Sequence, residues 1–191
     1  EILNRCEPKV QEFLLKTALF PKFTAKAAEA LICIAESQTI LDDLTQHNYF
    51  TVRHASEHRY TYEYHPLFRE FLLEQGRTHF TNSERRILTE QAATLLAAAG
   101  QADEAAELLR EGGGEAPLIA LILEHAPALA AQGRLATLEG WLRSLSQTSI
   151  ESQPWLSYWL GICRMPFNQR EARSHLEQAY SGFKQAQQPL G

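Results

Sequence analysis

The sequence predicts a mainly α-helical protein, with a winged-helix-like domain that contains one β-hairpin, followed by tetratricopeptide-like helical hairpins of an α-solenoid. Three helical patterns precede a short region rich in tyrosine and β-branched residues. Alanine and leucine then dominate the rest of the chain. Turns recur there about every 34 residues, the period of paired-helix repeats. We therefore expect two domains, at 1–80 and 81–191.

Three helices are predicted before the hairpin. Apolar residues at helical spacing indicate a first helix over Lys9–Thr17, and Pro21 interrupts the pattern. Thr24 is a suitable cap for the second helix, and the third begins at Ser37 and ends near His47. The apolar face of the second helix comprises Ala27, Ala28, Leu31, Ile32 and Ile34.

A β-hairpin is predicted next, because aromatic and β-branched residues alternate with polar ones in 49–53 and 59–64. The polar segment 54–58 would connect the strands. Pro66 suits the first position of a further helix, with apolar residues at Leu67, Phe68, Phe71 and Leu72. Three helices, a hairpin and a following helix give the element order of a winged helix.

Three helix-turn-helix junctions follow, with turns at Gly100, Gly133 and Asn168, which are 33 and 35 residues apart. A single helical pair cannot bury its apolar face, so neighbouring pairs are expected to stack. The last pair has small or apolar residues at Gly161, Ala172, Leu176 and Ala179. Three tryptophans are expected to pack between helices, with a ligand cage as the alternative: Trp141, Trp155 and Trp159.

Composition argues against several classes of protein. The net charge is −5, and neither predicted domain has the basic patch that nucleic-acid binding requires. The three cysteines are far apart, which favours reduced cytoplasmic thiols over a disulfide framework or a zinc site. The sequence has neither a signal peptide nor a long apolar run, and it contains no catalytic motif. We expect a cytoplasmic segment of a longer protein that is not itself an enzyme.

His65 is the candidate binding residue. It lies where the hairpin meets the helix that begins at Pro66, and free N–H groups and the helix dipole favour an anion there. A neutral imidazole can donate an N–H to a phosphate oxygen, whereas simple capping or packing against a tyrosine is the structural alternative. His54 and His58 straddle a predicted turn, so we expect no metal site at these residues or at His47.

The third helix is where a DNA-binding winged helix carries its recognition surface. Here that segment reads SQTILDDLTQHN and contains no lysine or arginine. Asp42 and Asp43 would face DNA phosphates unfavourably. The residues therefore argue against direct DNA binding by this domain.

Two stretches resemble a known family. ILDDLTQHNYFTV (40–52) with YTYEYHPLFREFLLEQ (60–75) resembles the segment that follows the nucleotide-binding domain in MalT-like, LuxR-family ATP-dependent transcriptional regulators. GRLATLEGWLRSLS (133–146) is similar to the start of their helical-repeat arm. These regulators are signal-transduction ATPases with numerous domains. The resemblance extends over roughly residues 9–186.

The resemblance implies a segment for signal transduction and transcription regulation. Its partners would be an upstream nucleotide-binding domain, an inducer or protein on the helical repeats, and DNA through a domain outside the segment, with no membrane and with self-assembly of the whole regulator. In the wider class a Met-His-Asp motif contacts the ADP phosphate. His65 occupies the similar place, but the Met and Asp are absent. His65 would thus be a sensor of the ADP phosphate in the preceding domain. The parent protein would use ADP and ATP, and the segment itself would hold no cofactor.

Two other functions stay open. A stand-alone tetratricopeptide-type interaction scaffold would have no nucleotide-binding loop encoded upstream. A winged-helix DNA-binding domain would bind duplex DNA through residues 1–80 in a salt-dependent manner.

Overall fold

The computed structural model describes residues 3, 6–33, 36–47, 50–56, 59–112 and 114–186. These residues form eleven helices and one two-stranded antiparallel sheet, which confirms the predicted class. The winged-helix region contains α1 (Pro8–Thr17), α2 (Ala25–Ile32), α3 (Ser37–Gln46), β1 (Thr51–Ser56), β2 (Arg59–Tyr64) and α4 (Pro66–His79). The later helices are α5 (Asn82–Ala98), α6 (Ala102–Gly112), α7 (Glu115–Ala131), α8 (Leu135–Arg143), α9 (Gln147–Ser152), α10 (Pro154–Arg164) and α11 (Gln169–Ala186).

The chain divides into two compact units, Glu1–Gly113 and Gly114–Gly191. The first unit continues past residue 80 because α5 packs against α2 and α4 and also pairs with α6. The winged helix therefore shares its unit with the first helical pair. The predicted domain boundary between residues 80 and 81 stays a prediction. None of the helices in the described residues has both the length and the apolar character needed to cross a bilayer.

Local signals set the first helices. Pro8 begins α1, where its missing N–H costs nothing. The Thr24 hydroxyl accepts a hydrogen bond from the Ala27 N–H at 3.2 Å, so the predicted cap of α2 is confirmed. Helix α2 ends at Ile32 and is followed by its C-cap residue Cys33, whose φ of 59° is left-handed. Ile34, the last residue predicted on the apolar face of α2, lies outside the described residues.

The hairpin is confirmed: β2 has its predicted range, whereas β1 continues to Ser56 instead of ending at Arg53. Thr51 pairs with Tyr64 and Ser56 with Arg59, so His54 belongs to β1 and not to a connecting segment. Backbone hydrogen bonds of 3.0 and 2.7 Å between Phe23 and Tyr62 add a bridge at the edge of the sheet. This bridge joins the segment between α1 and α2 to the hairpin, and the alternation pattern of the strands did not reveal it.

The three helix-turn-helix junctions occur where the sequence placed them. Gly100 and Gly133 have φ of +81° and +73°, a region that glycine enters without steric cost. At the third junction, the Asn168 Oδ1 accepts a hydrogen bond from the Glu171 N–H at 3.2 Å. The described helices therefore pack as the pairs α5–α6, α7–α8 and α10–α11. The short helix α9, capped by Ser146, was not predicted.

Candidate functional site

The His65 backbone is fixed from both sides. Its N–H donates a hydrogen bond of 2.7 Å to the carbonyl oxygen of Phe50, the residue before β1. Its own carbonyl accepts hydrogen bonds of 2.9 Å each from the N–H groups of Phe68 and Arg69. His65 is thus the N-cap residue of α4, at the junction that the sequence indicated.

The His65 side chain is directed differently from a conventional cap. It makes no cap hydrogen bond to the first turn of α4, and the residue is exposed. Within the described part of the chain, the imidazole has an edge-on aromatic contact with Phe50, at 6.5 Å between ring centroids. A fixed backbone and an exposed imidazole suit contact with a group outside this segment.

The N-terminus of α4 has fewer free backbone N–H donors than helix geometry alone would predict. Pro66 has no N–H, and the amides of Phe68 and Arg69 already bond to the His65 carbonyl. The Leu67 amide is left as the backbone donor of the first turn in the described chain. An anion at this end of α4 would therefore depend on the imidazole of His65 and on the helix dipole.

Arg69 anchors the first turn of α4 to the end of α1. Its Nε donates to the carbonyl oxygens of Ala18 at 2.9 Å and Phe20 at 3.3 Å. Its Nη2 donates to the Leu19 carbonyl at 3.3 Å. Burial lowers the pKa of the guanidinium from its usual value. The role of Arg69 could not be predicted from the sequence, because a single arginine on an amphipathic helix gives no signal of a distant backbone partner.

An apolar surface flanks His65. Phe50, Leu67 and Phe71 are 49%, 71% and 39% exposed, respectively. The buried Phe68 ring lies between two of them, 5.4 Å from the Phe50 ring and 6.3 Å from the Phe71 ring. The sequence predicted one apolar set on α4, but only part of it enters the core. We call Phe50, Leu67 and Phe71 the α4 apolar surface.

Two other histidines of the winged-helix region, His47 and His54, have carboxylate neighbours. His54 Nε2 lies 3.2 Å from the Glu63 carboxylate, and His47 Nδ1 lies 3.2 Å from the Asp43 carboxylate. His58 lies outside the described residues. In the part of the chain that the structure describes, no three histidine, cysteine or carboxylate side chains converge.

Helix α3 presents its carboxylates at the surface. Leu41 and Leu44 are buried, whereas the Asp42 carboxylate accepts a hydrogen bond of 2.9 Å from Gln38. Arg53 on β1 lies 3.8 Å from Asp42. The positive charge of Arg53 thus lies beside a carboxylate of α3, the helix that would have to approach DNA.

The second unit offers a different surface. Trp141 is buried, as expected for a packing residue, but Trp155 is 52% exposed. The Trp155 ring lies edge-on to Phe183 on α11, at 4.9 Å between centroids. These two residues, Tyr180 and Lys184 line an open groove of about 480 Å³. The sequence named Trp155 but not its α11 neighbours, which are far from it in the chain.

Residues 1–85 match the family described as the MalT winged helix domain. No curated protein matches the chain. The match includes α1 to α4, both strands and the junction at His65, and it ends in the first turn of α5 at Arg85. Residues 1–85 therefore form the winged helix domain of a MalT-like regulator.

Proposed function

We propose that this chain is a regulatory and interaction segment of a MalT-like ATP-dependent transcriptional regulator. It relays the state of a nucleotide held by a preceding domain, and the binding of an inducer or protein on the helical pairs. In this proposal the segment acts in the cytoplasm and has no catalytic activity. ATP hydrolysis and DNA binding belong to other domains of the regulator, which assembles with further copies when activated.

The geometry of His65 carries the proposal. The hydrogen bond to the Phe50 carbonyl fixes the residue at the N-cap of α4, and the imidazole stays exposed. An imidazole there can donate to a phosphate oxygen, and the helix dipole favours the negative charge. The adjacent α4 apolar surface suits contact with another domain, because exposed apolar patches commonly mark interfaces. If the nucleotide-binding domain docks here in a nucleotide-dependent way, the exposure of the His65 imidazole and that of the α4 apolar surface would change together.

The test uses the intact regulator with a His65→Ala substitution. ADP should dissociate faster, and transcription without inducer should rise, because the closed state loses a phosphate contact. Release of a fluorescent ADP analogue and a reporter assay measure the two effects. His54→Ala is the matched control, since His54 is also exposed but lies on β1 beside Glu63. If His65→Ala behaves like His54→Ala in both assays, the sensor role is wrong.

The helical pairs are tested by hydrogen exchange in the intact regulator. The effector that activates the regulator should slow exchange of amides in the second unit, especially α10 and α11 beside the Trp155 groove. A response confined to residues 1–80 would show that the repeats are not the sensor. Salt-dependent duplex binding by the segment alone would instead favour the DNA-binding alternative.

A further inference from the structure

His65 lies between two attachments of the chain to the end of α1. Tyr64 comes directly before it, and the hydroxyl groups of Tyr64 and Thr17 are hydrogen-bonded, with 2.7 Å between their oxygens. Arg69 comes one helical turn after it, and its guanidinium donates to the carbonyl oxygens of residues 18–20, just past the end of α1. The chain on both sides of His65 is therefore tied to the same short segment.

Arg69 also contacts His65 directly, through the main chain. The Arg69 N–H donates a hydrogen bond of 2.9 Å to the His65 carbonyl oxygen. The carbonyl groups at a helix end have no donor within their own helix, and the planar guanidinium can serve several of them at once. One residue thus connects His65, through its backbone, to the end of α1, through its side chain.

The support on the other side of His65 is strained. Phe50, whose carbonyl oxygen accepts the hydrogen bond from the His65 N–H, has a φ of 51°. A left-handed backbone is disfavoured for a bulky residue, and it persists only where the surrounding structure enforces it. The hydrogen bond between Phe50 and His65 therefore depends on a well-anchored α4, and Arg69 supplies that anchor.

We infer that Arg69 is a positioning residue for His65. It holds the first turn of α4 on the end of α1 and thereby fixes the imidazole in the orientation that a nucleotide phosphate would meet. Arg69 is not itself a phosphate contact, because its Nε and Nη2 already donate to backbone carbonyl oxygens. The inference rests on the sensor role proposed for His65, and it adds the residue on which that role depends.

A double-mutant cycle in the intact regulator tests whether Arg69 acts through His65. Arg69→Met should speed release of the fluorescent ADP analogue at least about threefold, because the imidazole is no longer held in place. In the His65→Ala background, the same substitution should change the release rate by less than about 1.5-fold, because the imidazole is absent. If the effects of the two substitutions simply multiply, Arg69 acts independently of His65 and the inference is overturned.

Two further variants of α4 separate geometry from charge. Arg77→Met is the matched control, because Arg77 lies on the same helix but donates to the exposed Glu74 carboxylate, and it should release ADP at the wild-type rate. Arg69→Lys keeps the charge but not the planar set of donors, so it should behave like Arg69→Met. Equal effects of Arg77→Met and Arg69→Met, or wild-type release by Arg69→Lys, would refute positioning by the guanidinium.

Amide hydrogen exchange in the 191-residue chain, without nucleotide, tests the inference apart from the sensor role. Arg69→Met should speed exchange of the His65 N–H about tenfold or more, because its hydrogen bond to the Phe50 carbonyl opens more often. The N–H of the buried Ala105 in α6, which bonds to the Gln101 carbonyl in the same unit, should change less than about twofold.

The outcomes of the exchange experiment are distinct. Unchanged exchange at His65, or equal acceleration at His65 and Ala105, would refute a local positioning role. If His65 exchange accelerates alone but His65→Ala releases ADP at the wild-type rate, Arg69 still positions the junction and only the sensor role is wrong.

Discussion

The Tyr64 hydroxyl donates a buried hydrogen bond to the Thr17 hydroxyl oxygen, with 2.7 Å between the two oxygens, although the residues are 47 positions apart in the chain. The direction follows from Thr17, whose single hydroxyl proton is already donated to the Phe13 carbonyl at 2.7 Å. The bond joins the last residue of β2 to the last residue of α1. It therefore fixes the strand immediately before His65.

The direction of this bond predicts an asymmetry between two substitutions. Tyr64→Phe removes the donor and should cost roughly 1 kcal/mol of unfolding free energy. Thr17→Val leaves the buried Tyr64 hydroxyl without its acceptor, so it should cost more, roughly 1–3 kcal/mol. Urea titration of both variants measures the difference. A larger loss in Tyr64→Phe than in Thr17→Val would contradict the assigned direction.

The same residue predicts a pH dependence. Burial raises the pKa of Tyr64 above its usual value, because the charged phenolate would lose its hydration. Its contribution is therefore complete below about pH 10, the usual pKa of tyrosine, and is lost as pH rises through the folded-state pKa. The wild-type chain should lose stability above about pH 10 more steeply than Tyr64→Phe. Parallel curves for the two proteins would rule out this contribution.

Gly161 predicts a packing limit between α10 and α11. A Cβ on this residue would lie 2.8 Å from Leu176 Cγ and 3.2 Å from the Ala172 carbonyl oxygen. Gly161→Ala should therefore destabilise the second unit by about 1–3 kcal/mol, the usual cost of overpacking. Thermal unfolding of Gly161→Ala measures this cost, and adding Leu176→Ala should reduce it.

Gly140 provides the matched control on α8. A Cβ there meets nothing within 4 Å, so Gly140→Ala should stabilise the helix by roughly 0.5–1 kcal/mol. If Gly161→Ala is as well tolerated as Gly140→Ala, the close approach of α10 and α11 is wrong.

Glu115 predicts an acid-dependent contact between the starts of α7 and α9. Hydrogen bonds from the Ser149 hydroxyl, the Ser146 hydroxyl and the Ser146 N–H lower the pKa of its carboxyl group. Because the folded-state pKa is depressed, this stabilisation is present above about pH 4.3, the usual pKa of glutamate. It is lost as pH falls from there through the folded-state pKa.

An NMR titration of the Glu115 carboxyl group checks this prediction. Ser149→Ala should raise the pKa of Glu115 toward its usual value, because it removes the Ser149 hydroxyl, the donor with the largest effect on that pKa. Ser152→Ala is the control, since that hydroxyl donates to the Ser149 carbonyl at 3.0 Å instead. The assignment fails if the Glu115 pKa is the same in Ser149→Ala and the wild-type chain.

The features that the sequence determined are those with a local cause. Pro66 predicted the start of α4 because proline suits the first helical position, and Thr24 predicted a cap that is present. Gly100 and Gly133 marked turns because their backbone conformation is left-handed. Alternation predicted the hairpin. Each of these features depends on residues only a few positions apart, so it can be recognised in one sequence without knowledge of the fold.

Tertiary structure alone decided which side chains meet. Phe68 and Phe71 lie on the same apolar stretch of α4, but Phe68 is buried and Phe71 is 39% exposed, because burial depends on the neighbouring elements. No local pattern predicts that Arg69 on α4 donates to the Ala18 carbonyl oxygen, because the two residues are 51 positions apart in the chain. Helical periodicity specifies a face but not its partner. The position of His65 between the hairpin and α4 could therefore be recognised in the sequence. Its backbone hydrogen bond to the Phe50 carbonyl oxygen could not be predicted.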